Sequence, residues 1–421
     1  MRPRALFISH VLPFPGSSGQ ELRVRNMLRA AVSSFDVDFL TCAPDTRIEQ
    51  VKNGFRELQC RLIVLDSKIC TSGLRKLIQN LACVWFVVRT GLKVSNFRVG
   101  TVDLSSERIF AAVNPHDYDC VIYEYFHAVD SVRVFRNAGV PAILDMHNVL
   151  WRAREERFNE RSELPTWLKR VSLERYRRRE ESAWDKFDAL IAINRSEYDL
   201  VQARLRAAQK LFYAPMGTDL SSWSACWQPA NPPRLAYYGG LASAHNEAAA
   251  LRCHQHIMPV IWQRFPDAEL WLVGSNPTKI LRALTSDPRV KVTGFVEEVQ
   301  DVLKSMSLVF CPWSGTYGFR SRIVEVMALG LPVVATPAAV DGMELESGRG
   351  IFLADTDKLL AERALELLSA PDLLAEQSQM ARSEMVRLYS LEHTYDRLMM
   401  ELRDWLDGRR GAASMLVAKD S

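Results

Sequence analysis

The residues best equipped for chemistry lie between Gly318 and Val334, reading Gly-Phe-Arg-Ser-Arg-Ile-Val-Glu-Val-Met-Ala-Leu-Gly-Leu-Pro-Val-Val. The order is that of a loop, a helix, a glycine stop, a proline and a buried strand. A glycine ahead of a helix lets backbone N–H groups approach a phosphate, and the helix N-terminus adds partial positive charge. Arg320 and Arg322 are planar cationic donors suited to a diphosphate. Glu325, one turn further in, can accept both hydroxyl protons of a ribose diol, and an acid on an otherwise apolar helix wants such a partner. Its bland alternative is an ion pair with Arg322.

Such a loop works only if strands and helices hold it in place. The first half of the chain alternates short apolar runs, Leu6–Ser9, Val37–Leu40, Leu62–Leu65, Cys120–Tyr123, Ala142–Asp145 and Ala189–Ile193, with long amphipathic stretches. The second half repeats the habit with Arg234–Tyr238, Glu269–Val273, Val290–Thr293, Leu308–Cys311, Pro332–Thr336 and Gly350–Ala354. Continuous apolar strands separated by helices predict parallel sheets covered on both faces. The reading is therefore an N-terminal domain over 1–211, a Pro- and Trp-rich linker over 212–233 and a second domain over 234–390. A terminal helix follows over 391–408 and a flexible tail over 409–421. Two doubly wound α/β domains leave a central cleft at the carboxyl ends of their sheets, where such folds bind ligands.

Composition narrows the classes further. Among 421 residues, 53 Lys and Arg face 50 Asp and Glu, a net charge of +3 that suits neither a nucleic-acid coat nor an acidic tail. The arginine-rich run Lys169 to Glu181 carries interleaved acids and reads as a solvated helix, so nucleic acid is not expected as a partner. The longest apolar run, Leu81 to Val88, is far short of the roughly 20 residues of a spanning helix. Arg2 and Arg4 ahead of Ala5–Ile8 resemble a signal peptide superficially, but His10, Pro13 and Pro15 interrupt it, and a first strand is the better reading. Eight cysteines without a Cys-x-x-Cys pair predict neither a zinc site nor a disulfide framework, and a reducing cytoplasm. Residues 51–100 hold nine Lys and Arg against two Asp and Glu. Within them, 74–98 sets Leu74, Leu77, Ile78 and Leu81 on one helical face beside Arg75, Lys76, Arg89, Lys93 and Arg98. Peripheral contact with the inner face of a membrane is one expectation, and packing of that face on its own domain the other.

The Gly318–Val334 segment resembles the C-terminal signature of family 4 glycosyltransferases of the GT-B fold, in the subgroup whose loop reads Gly-x-Arg-x-Lys/Arg before the Glu-x-Met-Ala helix. Further matches fall in order: Gly239-Gly240 and Asn246, Phe265-Pro266-Asp267-Ala268, Gly274, and Val292-Thr293-Gly294-Phe295-Val296. His10 with Pro13, Pro15, Gly19 and Arg23 is similar to the family's glycine loop after strand one, and Pro215–Asp219 resembles its linker.

The resemblance implies a GT-B α/β fold and a metal-independent, hexosyltransferase-type enzyme. A nucleotide-diphosphate sugar is its co-substrate, without a further cofactor. Donor-binding residues would be Gly19, Gly239, Gly240, Gly318, Phe319, Arg320, Arg322 and Glu325. Arg320 would also stabilise the leaving diphosphate, and transfer would proceed with retention. His10, Arg23 and Glu124 would lie on the acceptor side. The strand end that carries the family's usual histidine reads Tyr123-Glu124-Tyr125, leaving His147 as the nearest catalytic candidate. Tyr317 stands where the family's first motif glutamate is expected, and no Arg or Lys follows Gly239-Gly240. The acceptor would be a glycan or lipid-linked precursor, in an envelope or exopolysaccharide pathway. The alternatives are a nucleotide-sugar epimerase of the same fold and an inactive nucleotide-sugar-binding or scaffold protein. A dehydrogenase is disfavoured, since no Gly-x-Gly-x-x-Gly follows any strand.

Overall fold

The computed structural model describes residues 2–16, 18–43, 45–161, 165–225, 227–315 and 319–417, without the side chains of 45–48, 50, 157, 159–161 and 412–417. The chain folds as two units, the first Met1–Gly217 with Thr394–Ser421 and the second Thr218–His393.

Unit 1 is built on seven strands: β1 (Arg4–Ser9), β2 (Asp36–Ala43), β3 (Arg61–Asp66), β4 (Cys120–Glu124), β5 (Ala142–Asp145), β6 (Ala189–Ala192) and β7 (Lys210–Tyr213). They pair in parallel in the order β3-β2-β1-β4-β5-β6-β7. Strands β4, β5 and β6 are buried along their whole length, as their unbroken apolar runs require. The register sets Glu124 of β4 beside Asp145 of β5. Chain order reverses at β1 and β4, so the loops leaving these strands diverge there and open the crevice in which doubly wound sheets bind ligands.

Unit 2 holds β8 (Arg234–Tyr238), β9 (Glu269–Val273), β10 (Val290–Gly294), β11 (Leu308–Cys311), β12 (Val333–Ala335) and β13 (Ile351–Leu353). Their parallel order is β10-β9-β8-β11-β12-β13, with the reversal between β8 and β11. Both units thus have the Rossmann-like organisation expected from the strand spacing.

Five of the helices bear on the functional clusters and their surroundings: α1 (Gly19–Ser34), α2 (Gly73–Thr90), α3 (Thr166–Trp184), α4 (Ser321–Ala328) and α5 (Arg397–Val417). Helix α1 starts with a reciprocal cap, Ser18 Oγ accepting from the Glu21 N–H and the Glu21 carboxylate from the Ser18 N–H. Helix α5 belongs to unit 1 and buries Leu398, Met399, Leu402 and Leu406.

Three boundaries differ from the sequence reading. Phe212 and Tyr213, assigned to the linker, complete β7. The rest of the presumed linker is fastened to unit 2: the Trp227 indole N–H donates to Met306 O at 3.0 Å, and Arg382 donates to the carbonyls of Trp223 and Leu220. The tail drawn from residue 409 is helical to Val417. Gly408 costs such a helix only about 1 kcal/mol, and Arg409 and Arg410 next to it pair with Asp188 and Asp119, the residues just ahead of β6 and β4.

Candidate functional site

In unit 1 the loops leaving β1, β4 and β5 bring together His10, Glu124, Tyr125, His127 and His147. The His10 ring lies 4.8 Å from His127 and 5.3 Å from Tyr125, centroid to centroid, and His147 stacks on Tyr125 at 4.2 Å. His147 Nε2 is 2.5 Å from Glu124 Oε2. Two residues of this cluster have positive φ without being glycine, Tyr125 at 68° and His147 at 56°; Gln59 and Asn276 do so elsewhere. Such strain persists only where the surrounding packing dictates it, and it concentrates at functional positions. His10 Nδ1, Glu124 Oε1, the Tyr125 hydroxyl and His127 Nδ1 are buried and have no hydrogen-bond partner among the described residues. Four orphaned polar atoms at a sheet's switch point suit a ligand rich in hydroxyls.

Electrostatics keep this cluster close to neutral. Burial, with His147 nearby, lowers the His10 imidazole to about 4. His127 is pushed well below its ordinary value by burial and then by His10, Lys93 and His147. His147 falls to about 4 because burial and Arg23 outweigh Asp145. Burial and the Asp145 charge raise Glu124 well above the carboxylate range. Asp145 goes the other way: burial opposes its ionisation, but Arg23 holds it below its ordinary value. At neutral pH the histidines are uncharged, and the Arg23–Asp145 pair carries the local charge.

Arg23, expected on the acceptor side, is committed elsewhere. Its Nε and Nη2 donate to the two Asp145 oxygens at 2.7 and 2.6 Å, and Nη1 to Ala214 O at 3.0 Å. It braces the cluster from behind. Glu124, Asp145 and His147 offer ligand atoms within 4.8 Å of one another, as a metal site would. With both Asp145 oxygens already bonded to Arg23, a cation's place is filled by guanidinium. Gly19 is the first residue of α1; its φ is ordinary and a Cβ there would meet only the Met216 methyl at 3.9 Å. Neither strain nor crowding demands glycine at that position.

In unit 2 the second cluster forms between the loop leaving β8 and the start of α4. Arg322 lies against Gly239 and Gly240: a Cβ on Gly239 would come within 3.3 Å of its Nη1, and one on Gly240 within 3.6 Å of its Nη2. Its guanidinium also sits 5.5 Å from the Tyr238 ring. The Tyr238 hydroxyl donates to Glu325 Oε2 at 3.0 Å. Burial raises Glu325 above its ordinary value, against the Tyr238 hydrogen bond, Arg322 and Ser321. No Glu325–Arg322 ion pair occurs among the described residues, so the bland reading of this acid gives way to a Tyr238 contact. Arg320 donates to Gly315 O at 3.1 Å, with its guanidinium 5.4 Å from the Trp313 ring.

A chain of hydrogen bonds holds the diglycine in place. The Trp313 indole donates to the Tyr237 hydroxyl (2.9 Å), which donates to Asn246 Oδ1 (2.9 Å), and Asn246 Nδ2 donates to Gly240 O (2.7 Å). Gly274 must be glycine, since its φ is 153° and a Cβ would overlap Gly239 O at 1.7 Å. Phe319, expected at the sugar, is half-buried and packs edge-on to Tyr389 in the unit 2 core at 5.5 Å. Gly318 and Tyr317 lie outside the described residues.

Tyr125, His127, Asp145, Tyr238 and Trp313 carry no sequence signal that singles them out, with one exception. His127 lies two residues past the strand-end position where a histidine is expected, and the turn Phe126–Ser131 folds it back over the sheet.

No curated protein matches the chain. Among solved structures, the sucrose-phosphate synthase of Thermosynechococcus elongatus aligns over 97% of this chain and 100% of its own, with a TM-score of 0.66 and 18% identity. HepE of Anabaena, solved with UDP and glucose, covers 96% and 100% at TM-score 0.61 and 17% identity. TarM covers 97% and 98% at TM-score 0.62 and 10% identity, and a further TarM structure is from S. aureus. These likenesses show the GT-B fold. Residues 232–370, which carry the diglycine, both arginines and Glu325, match the family model described as Glycosyl transferases group 1.

Proposed function

We propose that the protein is a glycosyltransferase that moves a sugar from a nucleotide-diphosphate sugar to a glycan or lipid-linked acceptor, with retention and without a protein-bound metal. The observation that carries this reading is the seating of Arg322 against Gly239-Gly240 with Glu325 one turn further along α4. The diphosphate binds the two arginines and the first turn of α4, and the ribose hydroxyls bind Glu325, displacing its bond to Tyr238. HepE was solved with UDP, which makes UDP-sugars the first donors to try.

In the proposed reaction the acceptor oxygen bonds to the anomeric carbon on the face from which the diphosphate oxygen leaves, and the acceptor proton passes to that diphosphate. Arg320 and Arg322 stabilise the charge that grows on the leaving group. The acceptor rests on the unit 1 cluster, where neutral His147 accepts a hydrogen bond from its hydroxyl. The setting is envelope or exopolysaccharide synthesis at the inner face of a membrane.

A thermal-shift series with UDP, GDP, ADP, dTDP and their sugar conjugates tests the donor site. One nucleotide is expected to raise Tm selectively, and an Arg320→Ala, Arg322→Ala double variant to lose that shift. Removing the Glu325 carboxylate forfeits charge-assisted hydrogen bonds worth roughly 1.5–3 kcal/mol, so Glu325→Ala should weaken the nucleotide on the order of ten- to hundredfold. Unchanged titration curves for every nucleotide would remove Glu325 from the site. For the acceptor side, His147→Asn is the informative change, because asparagine tolerates left-handed backbone. Weakening a hydrogen bond worth about 0.5–1.5 kcal/mol should lower transfer roughly two- to tenfold with donor affinity retained. Free nucleotide released from a nucleotide-sugar without any glycosylated product would instead favour the epimerase reading.

A further inference from the structure

Helix α2 is inside out for the surface of a water-soluble domain. It meets unit 1 through Gln79, Cys83, Phe86, Val87 and Thr90, the positions of lower exposure along it. Gln79 fastens its first turns, accepting from the Cys70 N–H at 2.9 Å and donating to Lys68 O, and Phe86 packs on Phe97 at 5.5 Å. On the opposite side Leu74, Leu77, Ile78, Leu81, Trp85 and Val88 form a stripe at i, i+3, i+4, i+7, i+11 and i+14, each between 56% and 72% exposed. That spacing is one continuous helical face. In an ordinary surface helix it points at the core.

Charge decides what covers it. Residues 67–102 contain six Lys and Arg (Lys68, Arg75, Lys76, Arg89, Lys93 and Arg98) and no Asp or Glu. At 100° per residue Arg75 and Arg89 fall on one edge of the apolar stripe, and the Arg89 guanidinium lies 4.9 Å from the Trp85 ring. Two copies of α2 face to face would oppose like charges with no acid to relieve them, which disfavours a homodimer through this surface. An anionic lipid headgroup layer offers both what the stripe lacks and what the cations lack.

No single helix among the described residues is long and apolar enough to cross a bilayer; α2 reaches that length only together with Val94–Ala112, from which it is bent by 116°. Three cations within its 18 residues fit an orientation along the surface, with side chains rising to the headgroups.

We propose that α2 is an in-plane membrane anchor, its Leu74–Val88 stripe seated at the acyl boundary of an anionic leaflet and its cations among the phosphates. This deepens the proposed membrane-side setting and rests on that reading only for its purpose, since lipid binding is measured without donor or acceptor. The test is vesicle co-sedimentation of the full chain, with phosphatidylcholine alone and with roughly 30% phosphatidylglycerol. Two variants accompany it: Leu77→Ser with Leu81→Ser and Trp85→Ser, and Arg75→Gln with Lys76→Gln and Arg89→Gln. The wild-type chain is expected to sediment with the anionic vesicles at about 0.1 M salt and much less with phosphatidylcholine. Each triple variant should reduce the bound fraction about tenfold or more while keeping its nucleotide-induced thermal shift. Wild-type protein left in the supernatant with anionic vesicles would overturn the proposal, as would an apolar triple variant that binds like wild type. So would dimers in light scattering that the apolar variant dissolves while vesicles bind neither form. Loss of the nucleotide shift with lipid binding intact would count against the donor site and not against the anchor.

Discussion

Arg23→Met is expected to lower the stability of unit 1 by about 3–5 kcal/mol, the usual consequence of removing one partner from a buried ion pair. Arg23 and Asp145 are respectively 1% and 0% exposed, and the guanidinium uses three donors on Asp145 and Ala214 O. Methionine fills the volume but leaves Asp145 facing Glu124 with no cation beside it. Both carboxyls would then be driven to protonate in the fold. In a unit of this size the loss corresponds to a fall in Tm of roughly 10 °C or more. Pairing the change with Asp145→Leu should recover much of it, since replacing both charges removes the uncompensated one. Thermal unfolding followed by circular dichroism reads both effects; a single variant melting within about 2 °C of wild type would mean that the pair does not brace the cluster.

Acid should destabilise the same unit through its histidines. His10 and His147 are lowered to about 4 and His127 is held well below its ordinary value, while in the unfolded chain each titrates near 6.5. Between these limits the unfolded state binds more protons, so stability falls as pH drops, by about 1.4 kcal/mol per pH unit for each net proton. Two carboxyls oppose this. Glu124 is raised, and Glu180, buried in α3 where it accepts the Leu150 and Trp151 N–H groups, is raised to about 8 chiefly by burial. Each binds its proton more readily in the fold and so gains stability as pH falls. Three histidines against two carboxyls leave about one net proton, hence a loss of roughly 1.4 kcal/mol per unit between pH 6.5 and 4.5. Urea unfolding at intermediate pH values measures the slope. In a His10→Asn, His127→Asn double variant the carboxyls outnumber the remaining histidine, and the slope should change sign; an unchanged slope would mean these imidazoles are not held neutral.

Much of the architecture is legible in the sequence because it rests on local signals. Buried parallel strands such as β5 and β11 are unbroken apolar runs, and Gly330-Leu331-Pro332 stops a helix and starts a strand by chain chemistry alone. Strand β7 escapes notice because its four residues begin with exposed Lys210 and end where a proline-rich stretch begins. The unit 2 cluster can be anticipated as residues from a single loop and helix, with Gly239-Gly240 brought in by the strand pairing of β8 with β11. The unit 1 cluster is legible only in part: the resemblance points to His10, Arg23, Glu124 and His147, but not to Tyr125 or His127. Nor does it show that Arg23 is spent on Asp145, 122 positions away. The Tyr125 and His147 backbone strain is likewise imposed by three converging strands, which no local spacing encodes. Helix α2 shows the converse case: its periodicity is plain, but which way the stripe faces is decided by the few residues that dock it.

The assignment of α5 to unit 1 sets an order of events on the ribosome. Unit 2 is an uninterrupted segment, Thr218–His393, and every residue it needs has been synthesised before Arg397 is added. Unit 1 flanks that segment on both sides, its Met1–Gly217 part waiting for Tyr395, Leu398 and Leu402 to cover its core and for Arg410 to reach Asp119. Met1–Gly217 therefore leaves the exit tunnel before unit 2 and is finished after it. Until then it has apolar surface that waits for α5, a window in which holding chaperones would act on this half and not on the other.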